Sequence, residues 1–352
     1  MVFEAKIPAF SHPIAFEPIE NFTRCVKDAS FTTFFVIADK NTCQFAKRLN
    51  LEAEIIEVPC GEYAKSLETT RTAYQKLEKS YASRRSTLLI GVGGGAVCDL
   101  TGFVAMTFMR GISYALIPTS LVAIVDAAIG SKVGINGPNG KKNLIGGFYA
   151  PHVVHIDLDV LNTLPQREYL SAFAEIIKTA CIANDEGGLT NYLEENANKL
   201  IDRSSEELMH VVKTSIGIKK KYVEPDLMEV NLDRMLNLGH ALAHAIESTA
   251  RYSLLHGECV AMGIAQSCRI GVSRGLCSSA FAQRILRLFK AFSLPTALPA
   301  DLRYDALKAA IETIQCVRDG NLREVIPVSP GQSIILHDAR VDEILDQNGA
   351  LL

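Results

Sequence analysis

The sequence predicts an α/β domain over residues 1–164 followed by an all-α domain over residues 165–352. Three observations predict it. Short β-rich runs alternate with helical patterns in the first half, the signature of a parallel sheet covered by helices. One of those runs ends in a glycine cluster that opens a helix. From Pro165 onward the segments are long and carry helical periodicity. A chain of 352 residues fits two domains at about 100–200 residues each.

Each element follows from its local pattern. Phe34 to Ala38, Glu54 to Val58, Thr87 to Val92, Tyr114 to Ile117 and Val153 to Ile156 each fit a buried strand. Ser66 to Ala82 and Ala96 to Met109 read as helices between them. Leu164-Pro165 marks the domain boundary, because proline opens a helix more easily than it continues a strand. Beyond it, Arg167 to Asn184, Ser204 to Val223, Asp233 to Ala250, Gly257 to Arg274 and Ser278 to Phe292 read as helices. Glu324 to Pro327 and Ser333 to Leu336 read as a short hairpin.

Composition narrows the function. The chain is 48% hydrophobic and 21% charged, which excludes disorder as its main state. A net charge of −3 gives no global basic field for nucleic acid or an anionic membrane. No apolar run approaches the roughly 20 residues that span a bilayer. Met1 to Lys6 lacks the basic-then-apolar pattern of a signal peptide. The nine cysteines are odd in number and form no Cys-x-x-Cys pair, so buried thiols in a reducing cytoplasm are expected.

Leu88 to Val92 runs into Gly93-Gly94-Gly95-Ala96, with Asp99 on the helix that follows. Glycines let backbone approach a pyrophosphate, and free helix N–H groups point at it. Gly91-x-Gly93-x-x-Ala96 meets the dinucleotide fingerprint loosely, but the acid expected about 20 residues on is replaced by Arg110-Gly111. A tight strand-to-helix turn without a ligand explains the same glycines.

His240 and His244 fall four apart, a spacing that puts both imidazoles on one helix face. His256 follows in Leu255-His256-Gly257-Glu258, and Glu175 and Lys178 sit on an otherwise apolar helix. Two histidines and a carboxylate with an open position make a catalytic divalent-metal site. Histidines hydrogen-bonded in a core are the alternative. Lys132, Lys141, Lys142 and Asn143 lie in a glycine-rich segment that suits a phosphate ester or is simply a solvated loop. Lys219-Lys220-Lys221 reads as a solvated helix face, and Asp126 is an acid in an apolar run that needs a partner.

Together these segments resemble the sugar phosphate cyclase superfamily, whose best-known members are the 3-dehydroquinate synthases. The pieces that carry the resemblance are Gly93 to Leu100, Met109-Arg110-Gly111, Pro118-Thr119-Ser120-Leu121, Val125-Asp126 to Lys132, and Lys142-Asn143. They continue with Ala174-Glu175 to Lys178, Asn237-Leu238-Gly239-His240 to His244, and Leu255 to Glu258, in family order. The resemblance implies an N-terminal domain that binds NAD and a zinc or cobalt ion held by Glu175, His240 and His256. His244 then becomes a substrate or proton-relay residue. Asp126, Lys132, Asn143, Lys178, Lys219 and Asn237 match substrate-contacting positions. Arg110 matches an arginine that reaches a phosphate across a homodimer interface. Asp39, Glu62, Lys65, Gly94, Gly95, Asp99, Thr119, Ser120, Lys142 and Thr163 match positions lining NAD. The implied reaction oxidises a secondary alcohol, eliminates phosphate, returns the hydride, opens the ring and closes a carbocycle by aldol addition, so NAD is regenerated.

The chain departs from dehydroquinate synthases in two places. Their arginine seven residues before the first motif histidine is Asp233 here, and the adjacent Arg234 is turned about 100° away if the segment is helical. Their Asp-Lys-Lys near the C-terminus reads Ile314-Gln315-Cys316. Both changes remove positive charge where the heptulosonate precursor is anionic. The segment Glu224 to Arg234 instead resembles sedoheptulose 7-phosphate cyclases, which make 2-epi-valiolone or 2-epi-5-epi-valiolone, and Asp233 is expected to hydrogen-bond substrate hydroxyls. The alternatives are a 3-dehydroquinate synthase, a metal-dependent alcohol dehydrogenase of similar plan, and a metal-free binding protein.

Overall fold

The computed structural model describes residues 12–26, 30–231, 234–250, 253–317 and 320–346. The chain divides between Asn162 and Thr163 into two compact units. In the first, the strands are β1 (Ile14–Phe16), β2 (Thr33–Asp39), β3 (Ala53–Val58), β4 (Thr87–Gly93), β5 (Ser113–Pro118), β6 (Lys132–Ile135), β7 (Ile145–Phe148) and β8 (Val153–Ile156). Six of them form one parallel sheet in the order β1-β8-β5-β4-β2-β3. β4 is buried along its whole length, which is why it reads as an unbroken apolar run and not an alternating one.

Two helices matter for the site. α1 (Leu67–Lys79) is capped by Ser66, whose hydroxyl accepts from the Thr69 N–H at 3.1 Å. α2 (Gly95–Thr107) springs directly from β4, and no side chain caps it. The chain continues from β2 to β3 on one side of the sheet and from β4 to β5 on the other. The adjacent carboxyl ends of β2 and β4 are therefore a topological switch point, where open α/β sheets bind ligands.

β1 and the β6–β7 pair were not expected from the sequence. β1 has three residues, too few for a visible period. β6 and β7 pair antiparallel with Gly134 opposite Gly146, and a Cβ on Gly146 would lie 2.2 Å from the Val133 carbonyl oxygen. Gly102 of α2 has the same kind of contact, 2.2 Å from Val133 Cγ1. The glycines around Lys132 to Gly147 thus let two strands and a helix approach closely, so the segment is more than a solvated loop.

The second unit is helical apart from one hairpin. It contains α3 (Gln166–Ser171), α4 (Phe173–Cys181), α5 (Ser205–Val223), α6 (His240–Thr249), α7 (His256–Ser273), α8 (Ser279–Ala291) and α9 (Tyr304–Val317), with shorter helices between α4 and α5. The hairpin pairs β9 (Glu324–Ser329) with β10 (Gln332–Leu336), as expected, and Ile326 packs on Gly271 of α7. Phe173 stacks on Phe292 at 4.1 Å, with Tyr169 edge-on at 5.5 Å. Two expected helices are divided. The one over 167–184 breaks at Ala172 and ends at Cys181; the break adjoins the Ser171 carbonyl, against which Gly257 packs. The one over 233–250 is a 3-10 turn (Met235–Asn237), then Gly239 at φ 75°, then α6. Among the described residues no helix is long and apolar enough to cross a membrane.

Candidate metal centre and nucleotide cradle

Glu175 stands on α4 with only 1% of its side chain exposed. Its Oε1 lies 3.2 Å from His256 Nε2 and 3.6 Å from His240 Nε2. One donor atom from each of the three residues lies within 4.8 Å of the others, and His244 is not in that set. A tetrahedral ion with bonds near 2.1 Å separates its ligands by about 3.4 Å, so the two measured gaps already match such a shell. His240 is 12% exposed and His256 33%, which leaves the centre open on one side as a catalytic ion needs.

Groups behind the donors fix their orientation. His240 Nδ1 donates to the Leu238 carbonyl at 3.0 Å, and His256 Nδ1 donates to Glu247 Oε1 at 2.9 Å. Each ring therefore presents Nε2 to the centre. The other Glu175 oxygen meets the Lys178 ammonium as an ion pair without hydrogen-bond geometry. Burial opposes charge on Glu175, yet Lys178 and both histidines hold its carboxyl well below the usual range. Burial and the Lys178 charge push His240 down to about 3, so it is neutral and ready to ligate. His256 moves the other way despite burial: Glu175 and Glu247 push it up to about 10, so an arriving cation displaces a proton from it.

Glycines bring the three helices together. A Cβ on Gly263 of α7 would lie 1.9 Å from the Gly239 carbonyl oxygen, and one on Gly257 would lie 1.8 Å from the Ser171 oxygen. Backbone contacts thus seat the start of α6 on α7, and the start of α7 on the α3–α4 junction. Glu247 was missed in the sequence. It is a buried acid on an otherwise apolar helix, the same signal that singled out Glu175.

In the first unit, packing separates glycines of two kinds. Cβ atoms on Gly91 and Gly93 would strike Thr101 and Val97 at 2.6 Å, so those positions are glycine for internal reasons. Gly94 is different: its Cβ would only touch Ser120 Oγ at an ordinary 3.4 Å. Gly94 to Ala96 are partly exposed at the uncapped start of α2, whose N–H groups are therefore available to an anion. Asp39 ends β2, in the strand beside β4. Its Oδ1 accepts from the Asn41 and Thr42 N–H groups and the Thr42 hydroxyl, which leaves Oδ2 for a ligand. The acid sought downstream of the glycines thus lies upstream, because the neighbouring strand precedes β4 in the chain. Glycine backbone, free N–H groups and an acid at a switch point fit a dinucleotide.

A polar network adjoins this cradle. Lys65, 4% exposed, contacts Asp99 at 2.6 Å, Glu62 at 3.5 Å and the side chain of Asn143. Asn136 links Glu62 to the Asn143 N–H at 3.1 and 3.0 Å. Burial raises the Asp99 carboxyl against the pull of Lys65, with Glu62 and Asp126 adding to the rise. Asp126 is half-buried, which places it within electrostatic reach of this cluster. Thr119 and Ser120 follow β5, and the Thr119 N–H donates to the Gly93 carbonyl at 2.9 Å.

The remaining candidate residues lie on several elements. Lys132 is exposed at the start of β6, and Lys142 is half-buried in the turn before β7. Arg110 follows α2 in a left-handed turn (Met109 φ 51°, Arg110 φ 62°) beside an open cavity of about 580 Å³ shared with Arg84. Thr163 ends a 3-10 turn and is exposed. Lys219 is half-buried on α5, whereas Lys220 and Lys221 are exposed, which corrects the reading of all three as a solvated face. His244 is exposed with its ring edge-on to His240 at 5.4 Å. Asn237 leads into α6, its N–H donating to the Arg234 carbonyl at 3.0 Å. Asp233 lies outside the described residues.

Two family models match the chain in succession. The family model for the 3-dehydroquinate synthase N-terminal region matches residues 55–171, and that for its C-terminal region matches residues 172–315. A 3-dehydroquinate synthase from Desulforamulus reducens is 39% identical over 301 residues, covering 85% of this chain and 82% of that one. ValA, a 2-epi-5-epi-valiolone synthase from Streptomyces hygroscopicus subsp. jinggangensis solved with NAD+ and Zn2+ bound, superposes with a TM-score of 0.89 at 26% identity, covering 97% of each chain. A 2-deoxy-scyllo-inosose synthase complexed with carbaglucose-6-phosphate, NAD+ and Co2+ shares the fold at TM-score 0.81 and 22% identity, covering 92% of this chain and 91% of that one.

Proposed function

The chain belongs to the 3-dehydroquinate synthase family, and we propose that within it the protein is an NAD- and metal-dependent sugar phosphate cyclase. Its substrate is sedoheptulose 7-phosphate and its product a C7 cyclitol, 2-epi-valiolone or 2-epi-5-epi-valiolone, formed with release of phosphate. The observation that carries the cyclase reading is the donor set Glu175, His240 and His256, spaced for a tetrahedral ion beside the buried Lys178.

Those three residues hold a zinc or cobalt ion, which when bound polarises a substrate hydroxyl and lowers its pKa. Gly94, Gly95 and Asp39 seat NAD, which supplies reversible hydride transfer. Lys178 keeps Glu175 anionic, and Glu247 keeps His256 turned toward the centre. Asn237 and His244 position substrate hydroxyls, with His244 relaying a proton. Lys132, Asn143 and Lys219 bind the phosphate and the ring, Asp126 steadies the cationic groups around it, and Arg110 completes the phosphate site from a second copy of the chain. Oxidation makes the neighbouring C–H acidic, phosphate leaves by β-elimination, and reduction, ring opening and aldol closure follow. The setting is cytoplasmic.

The choice of substrate rests on charge. Asp233 stands where dehydroquinate synthases carry an arginine, and Gln315 and Cys316 stand where they carry lysines. A second reading, 3-dehydroquinate synthase itself, is favoured by 39% identity to a curated protein of that name. Offering sedoheptulose 7-phosphate and 3-deoxy-heptulosonate 7-phosphate separately, with phosphate release and product NMR as readouts, decides between them. Turnover of the first alone supports the cyclitol reading; turnover of the second alone replaces it.

A further inference from the structure

Resting on the sedoheptulose 7-phosphate reading, we propose that Glu229 is a specificity-determining residue, which excludes carboxylate-bearing substrates by sequestering Arg234. The segment from Glu224 to Arg234 holds four acids and one base in sequence. Arg234 is that base, six residues before the metal donor His240. It adjoins the position at which dehydroquinate synthases carry an arginine.

The structure turns that cation inward. Arg234 Nη1 pairs with Glu229 Oε2 at 2.7 Å, Nη2 donates to the Glu229 carbonyl at 2.6 Å, and Nε donates to the Asn231 carbonyl at 3.1 Å. All three guanidinium nitrogens are engaged within five residues of chain. Glu229 itself takes a left-handed backbone conformation, φ 49°, which curls the loop back on Arg234. Asp226 closes the same loop from the other end, its carboxylate accepting from the Val230 and Asn231 N–H groups at 2.9 and 2.8 Å. The Arg234 carbonyl then accepts from the Asn237 N–H, so the loop passes directly into the segment that positions His240.

A guanidinium whose three nitrogens are each held, by one carboxylate and two carbonyls, has its charge paired and is not free to turn toward a second carboxylate. Arg234 is thereby withheld from an anionic substrate, and specificity against a carboxylate comes from removing the one attraction the segment could offer it. Neutral hydroxyls of a ketose need no such cation.

The test compares the ratio of specificity constants for the heptulosonate phosphate and sedoheptulose 7-phosphate in wild type, Glu229→Gln and Glu229→Gln/Arg234→Gln. Releasing Arg234 is expected to move the ratio toward the heptulosonate by about tenfold, mainly through KM, as one charge-assisted hydrogen bond becomes available. The double variant should lose that gain. A general weakening of the loop would lower both substrates together and leave the ratio unmoved. An unchanged ratio in Glu229→Gln, or a gain that persists in the double variant, overturns the proposal. A wild type that prefers the heptulosonate overturns the sedoheptulose reading instead, and the shift in Glu229→Gln still decides the role of Glu229.

Discussion

Gly263→Ala tests whether backbone contact between α6 and α7 builds the metal centre. Alanine for glycine inside an exposed helix ordinarily stabilises by about 1 kcal/mol. Here the new Cβ would lie 1.9 Å from the Gly239 oxygen, whereas real Cβ contacts essentially never fall below 3.0 Å. Both obstructing groups are backbone, so the start of α6 must recede by about 1 Å. Overpacking against rigid backbone falls in the upper part of the usual range, about 2–3 kcal/mol, which exceeds the helix-propensity gain. A net loss of about 1–2 kcal/mol lowers Tm by about 2–8 °C in a unit of this size. His240 moves with the helix, away from its 3.6 Å position relative to Glu175. Metal affinity is then expected to fall about 10- to 100-fold, as for disturbed supporting shells. Thermal unfolding with and without zinc, and competition against a chelator, measure both effects. Gly217→Ala on α5 serves as control, since its Cβ would meet nothing within 4 Å. A Gly263→Ala protein as stable as wild type, with unchanged zinc affinity, would refute the reasoning.

Glu247→Gln should keep the fold but weaken zinc binding about 10-fold, because the carboxylate to which His256 donates becomes a neutral, weaker acceptor; chelator competition reads this. Gly94→Ala should fold with wild-type Tm yet bind NAD more weakly by titration, whereas Gly93→Ala should unfold earlier because its Cβ meets Val97 at 2.6 Å. Burial lowers His155 below its ordinary 6.5, so the unfolded chain takes up a proton that the folded chain refuses. Stability should therefore decline as pH falls through about 6.5, and His155→Gln should flatten that slope in denaturant titrations at several pH values. Inactive Arg110→Ala and Lys178→Ala chains, mixed under conditions where subunits exchange, should recover part of the activity. No recovery in verified mixed dimers would place Arg110 within its own subunit's site.

The long elements were readable because their periodicity reflects burial on known faces. β2, β4 and β5 are apolar runs buried along most of their length, and α5 and α8 bury residues at helical spacing. What escaped was decided by contacts distant in sequence. The β6–β7 hairpin depends on Gly134 meeting Gly146, and glycines in sequence look alike whether they bend, pack or cradle. The metal donors show a similar limit. The spacing of His240 and His244 suggested a pair, while the third donor, His256, lies beyond a turn and reaches Glu175 only through the contact of Gly257 with Ser171. Family resemblance supplied that donor; spacing did not. Arg234 shows the same limit, since its pairing with Glu229 is set by how the chain curls and not by a periodic pattern.

We propose that this protein uses NAD catalytically to close a carbocycle at a metal held by Glu175, His240 and His256. The most direct measurement is phosphate release from a heptulose 7-phosphate with zinc or cobalt and less NAD than enzyme turnovers require, while NADH absorbance is followed. Catalytic use of NAD should give many phosphates per NAD, no accumulation of NADH, a carbocyclic product by NMR, and loss of all turnover in Glu175→Gln. Stoichiometric NADH with the phosphate retained would contradict it and identify a dehydrogenase instead.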